Sequence, residues 1–208
     1  LHMVMRMEET AGDRLYRLFK RGSDFVLAVI VLVVLGVLIP FIALVNALTS
    51  PGPLFYRQRR VGWGGRPFQM LKFRSMVPGA ETDCGAVWAS RTDERVTPAG
   101  RFLRRTRLDE LPQVINVLRG EMSVIGPRPE RPEFVELLAQ ELPFYRARHT
   151  LRPGITGWAQ IQLDYADSVE DARAKLECDL YYVKHASPLL DLRILLQTVP
   201  EMLQWRGY

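Results

Sequence analysis

The longest apolar stretch of the chain runs from Phe25 to Leu48, about 24 residues without a charged side chain. A plain helix of that length, rising ~1.5 Å per residue, just crosses a hydrocarbon core of ~30 Å, so the default reading is a transmembrane helix. Two features favour another geometry. Pro40 has no N–H to give the carbonyl of Gly36 and its ring crowds that carbonyl, which predicts a kink, and Gly36 adds backbone freedom. The flanks are basic on both sides, with Arg14, Arg17, Lys20 and Arg21 before the run and Arg57, Arg59, Arg60 and Arg66 after it. A single span concentrates Lys and Arg on the cytoplasmic side only. The symmetry predicts a re-entrant helix with arms at roughly 24–36 and 40–48, about 18 Å and 14 Å long and each too short to cross. A true span and the buried core helix of a soluble protein remain the alternatives.

Residues 8–23 place Leu15, Leu18 and Phe19 on one helical face and Arg14, Arg17 and Arg21 on another, the pattern of a helix lying on a membrane surface. Ser50-Pro51-Gly52-Pro53 is a stiff exit turn that leads to a strand at Leu54-Phe55-Tyr56. After a turn at Gly62 to Gly65, the segment Phe68 to Arg74 alternates as its hairpin partner. Residues 78–97 are polar and irregular and read as a loop over a site. Pro98 opens a helix carrying Arg101, Arg104 and Arg105, and Thr106 to Glu110 leads into a second helix that stops near Gly120. Proline fits only in a first turn, so Pro112 puts that helix start close to Asp109, Glu110 and Leu111.

A third helix is expected over about 130–141, and Arg152 to Gly157 reads as a stiff turn. Ser168 with Asp171 forms a capping box for a helix reaching about His185. Pro188 opens a last, Leu-rich helix closing with Trp205 and Tyr208, which suit the headgroup level or ordinary packing equally.

The 208 residues support one domain of ordinary size plus a membrane element, and the net charge of +5 suits anionic headgroups, phosphorylated substrates or nucleic acid, or simple solubility. Two cysteines, Cys84 and Cys178, make no disulfide scaffold and have no partners at metal spacing, so both are expected reduced, in a cytoplasmic setting. The apolar run lies behind some twenty residues and lacks an A-x-A pattern, which argues against a removable signal peptide. Leu1-His2-Met3 reads as a cloning remnant.

Asp109 and Glu110 are adjacent carboxylates beside Arg104, Arg105 and Arg107 at a predicted helix start. Neighbouring cations and the positive end of the helix dipole are expected to keep both ionised, as a nucleophile or a Mg²⁺ ligand requires. Mg²⁺ would complete its shell with phosphate oxygens rather than an all-protein cage. Helix capping and surface salt bridges explain the same pair without chemistry. Lys72, Arg74 and Arg128 lie near turns or strand ends, and Pro127 and Pro129 fix the backbone of Arg128 so that its planar fork suits a phosphate or a uracil carbonyl; structural salt bridging is the alternative. Gly154 and Gly157 serve a turn more readily than a ligand.

Four ordered motifs then carry a resemblance: Lys72-Phe73-Arg74-Ser75-Met76, Leu108-Asp109-Glu110-Leu111-Pro112-Gln113, Gly126-Pro127-Arg128-Pro129 and Arg152-Pro153-Gly154-Ile155-Thr156-Gly157. Over about residues 14–208 the chain resembles the bacterial sugar transferases, the monotopic polyprenyl-phosphate phosphoglycosyl transferases of glycan and exopolysaccharide assembly. The resemblance implies transfer of a sugar 1-phosphate from a UDP-sugar to undecaprenyl phosphate with release of UMP. It implies Asp109 as the nucleophile that forms a covalent phosphosugar intermediate, and Glu110 as its partner and the Mg²⁺ ligand. Arg104 and Arg128 match positions that hold phosphate or nucleotide, Lys72 and Arg74 belong to a basic motif near the site, and Gln113 and Pro127 join them as substrate-binding positions. It also implies a re-entrant helix, although many members have Ser-Pro where this chain has Ile39-Pro40, so no serine hydroxyl is there to bond the freed carbonyls.

The expectation is therefore an α-rich α+β monotopic membrane protein with an N-terminal re-entrant helix broken at Pro40, a small β-hairpin and several interfacial or cytoplasmic helices. It divides into a lead-in over 1–24, a re-entrant helix over 25–48 and a catalytic domain over 49–208. The enzyme would sit on the cytoplasmic face of the bacterial inner membrane, with UDP-sugar, undecaprenyl phosphate and anionic lipids as partners, no nucleic acid, and an apolar last helix that allows a homodimer. The segment Gly126 to Phe134 resembles the long exopolysaccharide-initiating members, which carry a further membrane domain upstream, so a shortened chain is expected. The sugar is not legible; UDP-glucose or UDP-galactose suits that resemblance. A lipid-binding scaffold would leave Asp109 and Glu110 replaceable, and a nucleic-acid binder is disfavoured because acids interrupt the basic residues.

Overall fold

A computed structural model describes residues 11–80, 93–163 and 169–203. Within these the protein is helix-rich, with one long apolar N-terminal helix, a small antiparallel hairpin and a two-stranded parallel pair. The predicted loop over 78–97 lies largely outside the described residues, as do Cys84, Ser168 of the capping box, Trp205 and Tyr208.

Helix α1 (Ala11–Thr49) joins the described part of the lead-in and the apolar run in one element, with Pro40 inside it. One stripe faces the domain: Asp24, Ala28, Leu35, Ile42 and Asn46 are buried at helical spacing, with Val31, Leu38 and Ile39 partly covered. The other faces are open, from Phe25, Val26 and Ile30 through Val33, Val37 and Phe41 to Leu44 and Leu48. Only 17% of the apolar window is buried, so α1 is not the core helix of a soluble fold.

Both ends of α1 are tied to the same globular unit. Arg21 donates to the carbonyls of Val117 and Leu118 at 2.7 and 3.0 Å, and the Asp24 carboxylate accepts from the Ser123 hydroxyl and the Val124 N–H at 3.0 and 2.9 Å. At the far end Arg74 holds the Ser50 carbonyl and hydroxyl and, at 2.7 Å, the Pro53 carbonyl.

Strands β1 (Phe55–Val61) and β2 (Pro67–Phe73) form the hairpin, registered from Phe55 opposite Phe73 to Val61 opposite Pro67. Helix α2 (Pro98–Arg105) starts where its proline predicts, with the Thr97 hydroxyl accepting from the Gly100 N–H. Helix α3 (Gln113–Arg119) ends at Gly120, whose φ of +80° supplies the left-handed cap. Its Asn116, fully buried, accepts from the Leu71 N–H at 3.0 Å and donates to the Gln69 carbonyl at 2.7 Å, and so fixes α3 against β2 as a missing strand would.

The segment read as a stiff turn at 152–157 contains strand β4 (Gly154–Thr156), parallel to β3 (Ser123–Ile125). A β-carbon on Gly154 would lie 2.1 Å from the Gly126 nitrogen, so backbone contact, not a ligand, accounts for this glycine. Helices α4 (Pro132–Glu141), α5 (Trp158–Gln162), α6 (Val169–His185) and α7 (Pro188–Leu203) complete the unit. Its main core joins Ala28, Leu35 and Ile42 of α1 to Met70, Phe73, Leu103, Val114, Val117 and Met122.

Candidate active site

Asp109 and Glu110 belong to a single 3-10 turn, Leu108–Glu110, between α2 and α3. The expected helix start at these residues is corrected: α3 begins at Gln113 with Pro112 as its cap, so the carboxylates sit one turn ahead of it, outside its first turn. The turn is entered through Arg107, a non-glycine residue with φ +55°, a conformation costing about 1–2 kcal/mol. Its carbonyl accepts from the Glu110 N–H at 3.2 Å, which closes the turn and sets the two carboxylates side by side.

Their surroundings differ sharply. The Glu110 Oε1 accepts from Lys72 Nζ at 3.0 Å and from Arg128 Nη2 at 2.6 Å, while Oε2 accepts from Arg128 Nη1 at 3.4 Å. Burial alone would raise this carboxyl, but Arg128 and Lys72 outweigh it and hold it well below the usual carboxylate range. Asp109 is 7% exposed and has no side-chain hydrogen-bond partner among the described residues. Burial pushes it up to about 6 against the opposing pull of Lys72, with Glu110 adding to the rise and Arg104 and Arg128 resisting it. The two carboxylates expected to be kept ionised by neighbouring cations thus differ in how they are held: Glu110 takes the nearby donors, while Asp109 has none among the described residues. The cations at Glu110 come from β2 and the 126–130 segment, not from Arg105 or Arg107.

Arg128 stands on a clamped stretch of backbone. Four consecutive carbonyls accept hydrogen bonds from separate places: Pro127 from the Gly154 N–H at 2.9 Å, Arg128 from Arg148 Nη2 at 2.8 Å, Pro129 from Arg60 Nη1 at 3.1 Å and Glu130 from the Val61 N–H at 2.9 Å. Flanking prolines restrict the remaining torsions. Beside it lies a small, open pocket whose wall includes Arg128, Arg148 and His149. Burial, with Arg148 and Arg146 nearby, lowers His149 to about 4, so it is neutral at pH 7.

Of the residues singled out in the sequence, Asp109, Glu110, Lys72 and Arg128 meet in one cluster, and Arg104 acts on Asp109 electrostatically while its Nε donates to the Ser75 hydroxyl at 2.8 Å. Pro127 supports Arg128 through its carbonyl. Gln113 is buried at the start of α3 with its amide nitrogen unpartnered among the described residues. Arg74 departs from the expectation: its guanidinium is buried on Ser50 and Pro53, so it braces the exit of α1. Arg148 and Asn116 were not foreseen, nor were the roles of Arg60, named only as a flanking charge, and of Arg107, expected as a cation beside the carboxylates and found as the left-handed entry to their turn. Strand alternation could have pointed to Arg60, but nothing local marks the others.

The described residues contain no group of three or more His, Cys, Asp or Glu side chains at metal-binding distance. For Mg²⁺ the donor set would offer the Glu110 carboxylate, with substrate phosphate oxygens completing the shell.

Comparison with known proteins gives a consistent picture. Residues 15–205 match the family described as bacterial sugar transferase. A UDP-N-acetylgalactosamine-undecaprenyl-phosphate N-acetylgalactosaminephosphotransferase of Aeromonas hydrophila is 46% identical over 193 residues, 93% of this chain and 45% of that protein. A UDP-glucose:undecaprenyl-phosphate glucose-1-phosphate transferase of Escherichia coli is 43% identical over 198 residues, 94% of this chain and 42% of that protein. The chain thus spans less than half the length of these two relatives, whereas it covers 98% of an exopolysaccharide production protein, PSS, of Rhizobium leguminosarum at 40% identity. With nearly its whole length matched, the chain belongs to the bacterial sugar transferase family.

Proposed function

We propose that this protein moves a sugar 1-phosphate from a UDP-sugar to undecaprenyl phosphate in two displacements and releases UMP. The observation that carries the reading is the contrast at one turn: Asp109, buried and without a side-chain hydrogen-bond partner among the described residues, beside Glu110, bound to both Lys72 and Arg128. A carboxylate that is poorly stabilised and adjacent to cations is suited to attack phosphorus.

In the first displacement an Asp109 carboxylate oxygen bonds to the β-phosphorus. The bond from that phosphorus to the bridging oxygen breaks, and its electron pair leaves with UMP. In the second, a phosphate oxygen of the lipid attacks the same phosphorus, breaks the bond to Asp109 and regenerates the carboxylate, leaving a lipid-linked diphosphate sugar. Lys72 and Arg128 take up charge on the transferred group and the leaving UMP, and Glu110 keeps both cations aimed at the reacting phosphorus. Lys72 and, behind it, Arg104 favour the ionised form of Asp109, and Arg104 faces incoming phosphate. Mg²⁺, held by Glu110 together with diphosphate oxygens, would add Lewis-acid stabilisation of the same charge.

The second substrate is a lipid, and the placement of α1 suits it. The domain packs along α1 from Asp24 to Asn46, roughly 33 Å of helix, and both helix ends are bonded to that one unit. An upright span would drag Lys72, Asp109 and Glu110 into hydrocarbon, where unpaired charge is expensive. A helix that enters and leaves by one leaflet, bending at Pro40, keeps the site at the headgroup level, and on the cytoplasmic face it would meet the nucleotide sugar.

The test is product analysis: the purified protein with Mg²⁺, undecaprenyl phosphate and UDP-glucose, UDP-galactose or UDP-N-acetylgalactosamine. UMP from one donor is expected. UDP as product would overturn the mechanism, and lipid binding without any nucleotide product would favour a scaffold.

A further inference from the structure

The clamped backbone under Arg128 includes a second pair of opposite charges that touches neither carboxylate of the site. Arg148, in the 3-10 turn Tyr145–Thr150, is 6% exposed, and Asp179 of α6 is 2% exposed. Arg148 Nη2 lies 2.6 Å from Asp179 Oδ2 and donates at 2.8 Å to the Arg128 carbonyl, while Nη1 donates at 2.7 Å to the Tyr145 hydroxyl. We propose that Arg148, oriented by Asp179 and Tyr145, is a positioning residue for Arg128: it fixes the Arg128 carbonyl and thereby the direction in which the Arg128 side chain reaches Glu110 and the substrate phosphates.

The argument is geometric. Residues that precede proline are confined to extended backbone with a narrow range of ψ, so in Arg128, before Pro129, the carbonyl and the Cα–Cβ bond are held in a nearly fixed relation, and anchoring the carbonyl anchors the direction in which the side chain leaves. Arg148 supplies the hydrogen bond to that carbonyl. A buried ion pair is moreover a poor device for stability, since apolar residues of similar volume often do as well or better, whereas it holds a guanidinium in one orientation firmly. Asp179 approaches from α6 and Tyr145 from the turn itself, so the orientation of Arg148 is set from two sides.

This inference rests on the proposed reaction, in which Arg128 bears on phosphate, and the experiment separates the two. Arg148→Met with Asp179→Leu replaces the pair by apolar side chains, and Asp179→Asn serves as a milder variant that keeps the shape. Each is measured alone and together with Arg128→Met, for kcat/KM of UMP release and for thermal melting. The expected result is a loss of about 10- to 100-fold in kcat/KM with the protein folded at the assay temperature, the size that a small misplacement produces. In the Arg128→Met background the same replacements should change kcat/KM less than about twofold, because what they position is gone.

Losses that add in the double variants, or that follow melting temperature, would reduce the pair to a structural role. A readout independent of turnover is the side-chain ¹⁵N spectrum of Arg128. Slow guanidinium rotation is expected with the pair intact and fast averaging without it, and an unchanged spectrum would overturn the proposal. If the unsubstituted protein releases no UMP from any donor, the reaction fails while the ¹⁵N spectrum still judges the positioning.

Discussion

Two carboxylates in this protein each gather three contacts from distant parts of the chain, and they serve opposite ends. Asp191 of α7 accepts from the Tyr16 hydroxyl at 3.0 Å and Lys20 Nζ at 2.9 Å, both on α1, and from the Tyr182 hydroxyl of α6 at 2.6 Å. Glu110 is held by Lys72 and Arg128. At Asp191 the donors and the acceptor are matched: both phenols are pushed upward, by burial first and by Asp191 next, and stay protonated donors. That cluster is a closed joint between the foot of α1 and the last two helices. At Glu110 the matching is incomplete, because a second carboxylate, Asp109, stands beside it, buried and without a side-chain hydrogen bond among the described residues. Reactivity is located by what a polar cluster leaves unsatisfied, not by its size.

The contrast is broken most severely by Asp109→Asn, which should lower kcat for UMP release by about 10³ or more while leaving the fold intact. The same substitution should not lower the melting temperature at pH 7. The folded-state value near 6 lies above the ordinary 3.8, so the folded form binds the proton more tightly and stability declines as pH rises from about 4 to about 6. Asparagine removes that cost. A marked loss of stability would return Asp109 to the ranks of ordinary capping residues.

Glu110→Gln ranks next. With its negative charge gone, Lys72 and Arg128 lose their common anchor, and kcat/KM should fall by about 10²-fold in the assay that scores UMP, with only part of the loss recovered at high donor concentration. Asp191→Asn probes the opposite member. It should cost about 1–3 kcal/mol of stability, seen as a lower melting temperature in detergent, with kcat per folded molecule within about twofold of the parent. The reverse result, intact stability and lost activity, would erase the distinction between joint and site.

The smallest effect is also the sharpest in sign. Because the attacking group must be ionised, kcat/KM should fall as pH is lowered through about 6, halving near that value, and the Asp191→Asn protein should show the same profile.

The sequence made legible what is local or periodic. The open apolar faces of α1, the hairpin ending at Phe73, and the proline starts of α2, α4 and α7 each follow from a short pattern. The meeting of Lys72, Glu110 and Arg128 was legible only through the four motifs of the resemblance, since nothing in their spacing requires it. Lys72 and Arg74 show the limit. They share one motif and one strand parity, yet Lys72 reaches Glu110 and Arg74 turns to Ser50, a choice made by the packing of the α1 exit against β2. The parallel pairing of β3 with β4 joins residues about thirty apart, and Arg148 and Asp179 acquire meaning only once that pairing has brought the 126–130 segment over them. Pairing energies that depend on long loops leave no mark in the neighbouring residues.

The clamp under Arg128 has a consequence for biosynthesis. Its carbonyls borrow partners from Arg60 and Val61 on one side and from Arg148 and Gly154 on the other, so Arg128 is synthesised before half of what holds it. A ribosome delivers the N-terminal part first, and α1, with its apolar faces bare, is complete while Arg128 is still unmade. On the proposed reading, the nascent protein would therefore meet the membrane before its site is assembled, and the last strand of the clamp would close on a chain already anchored.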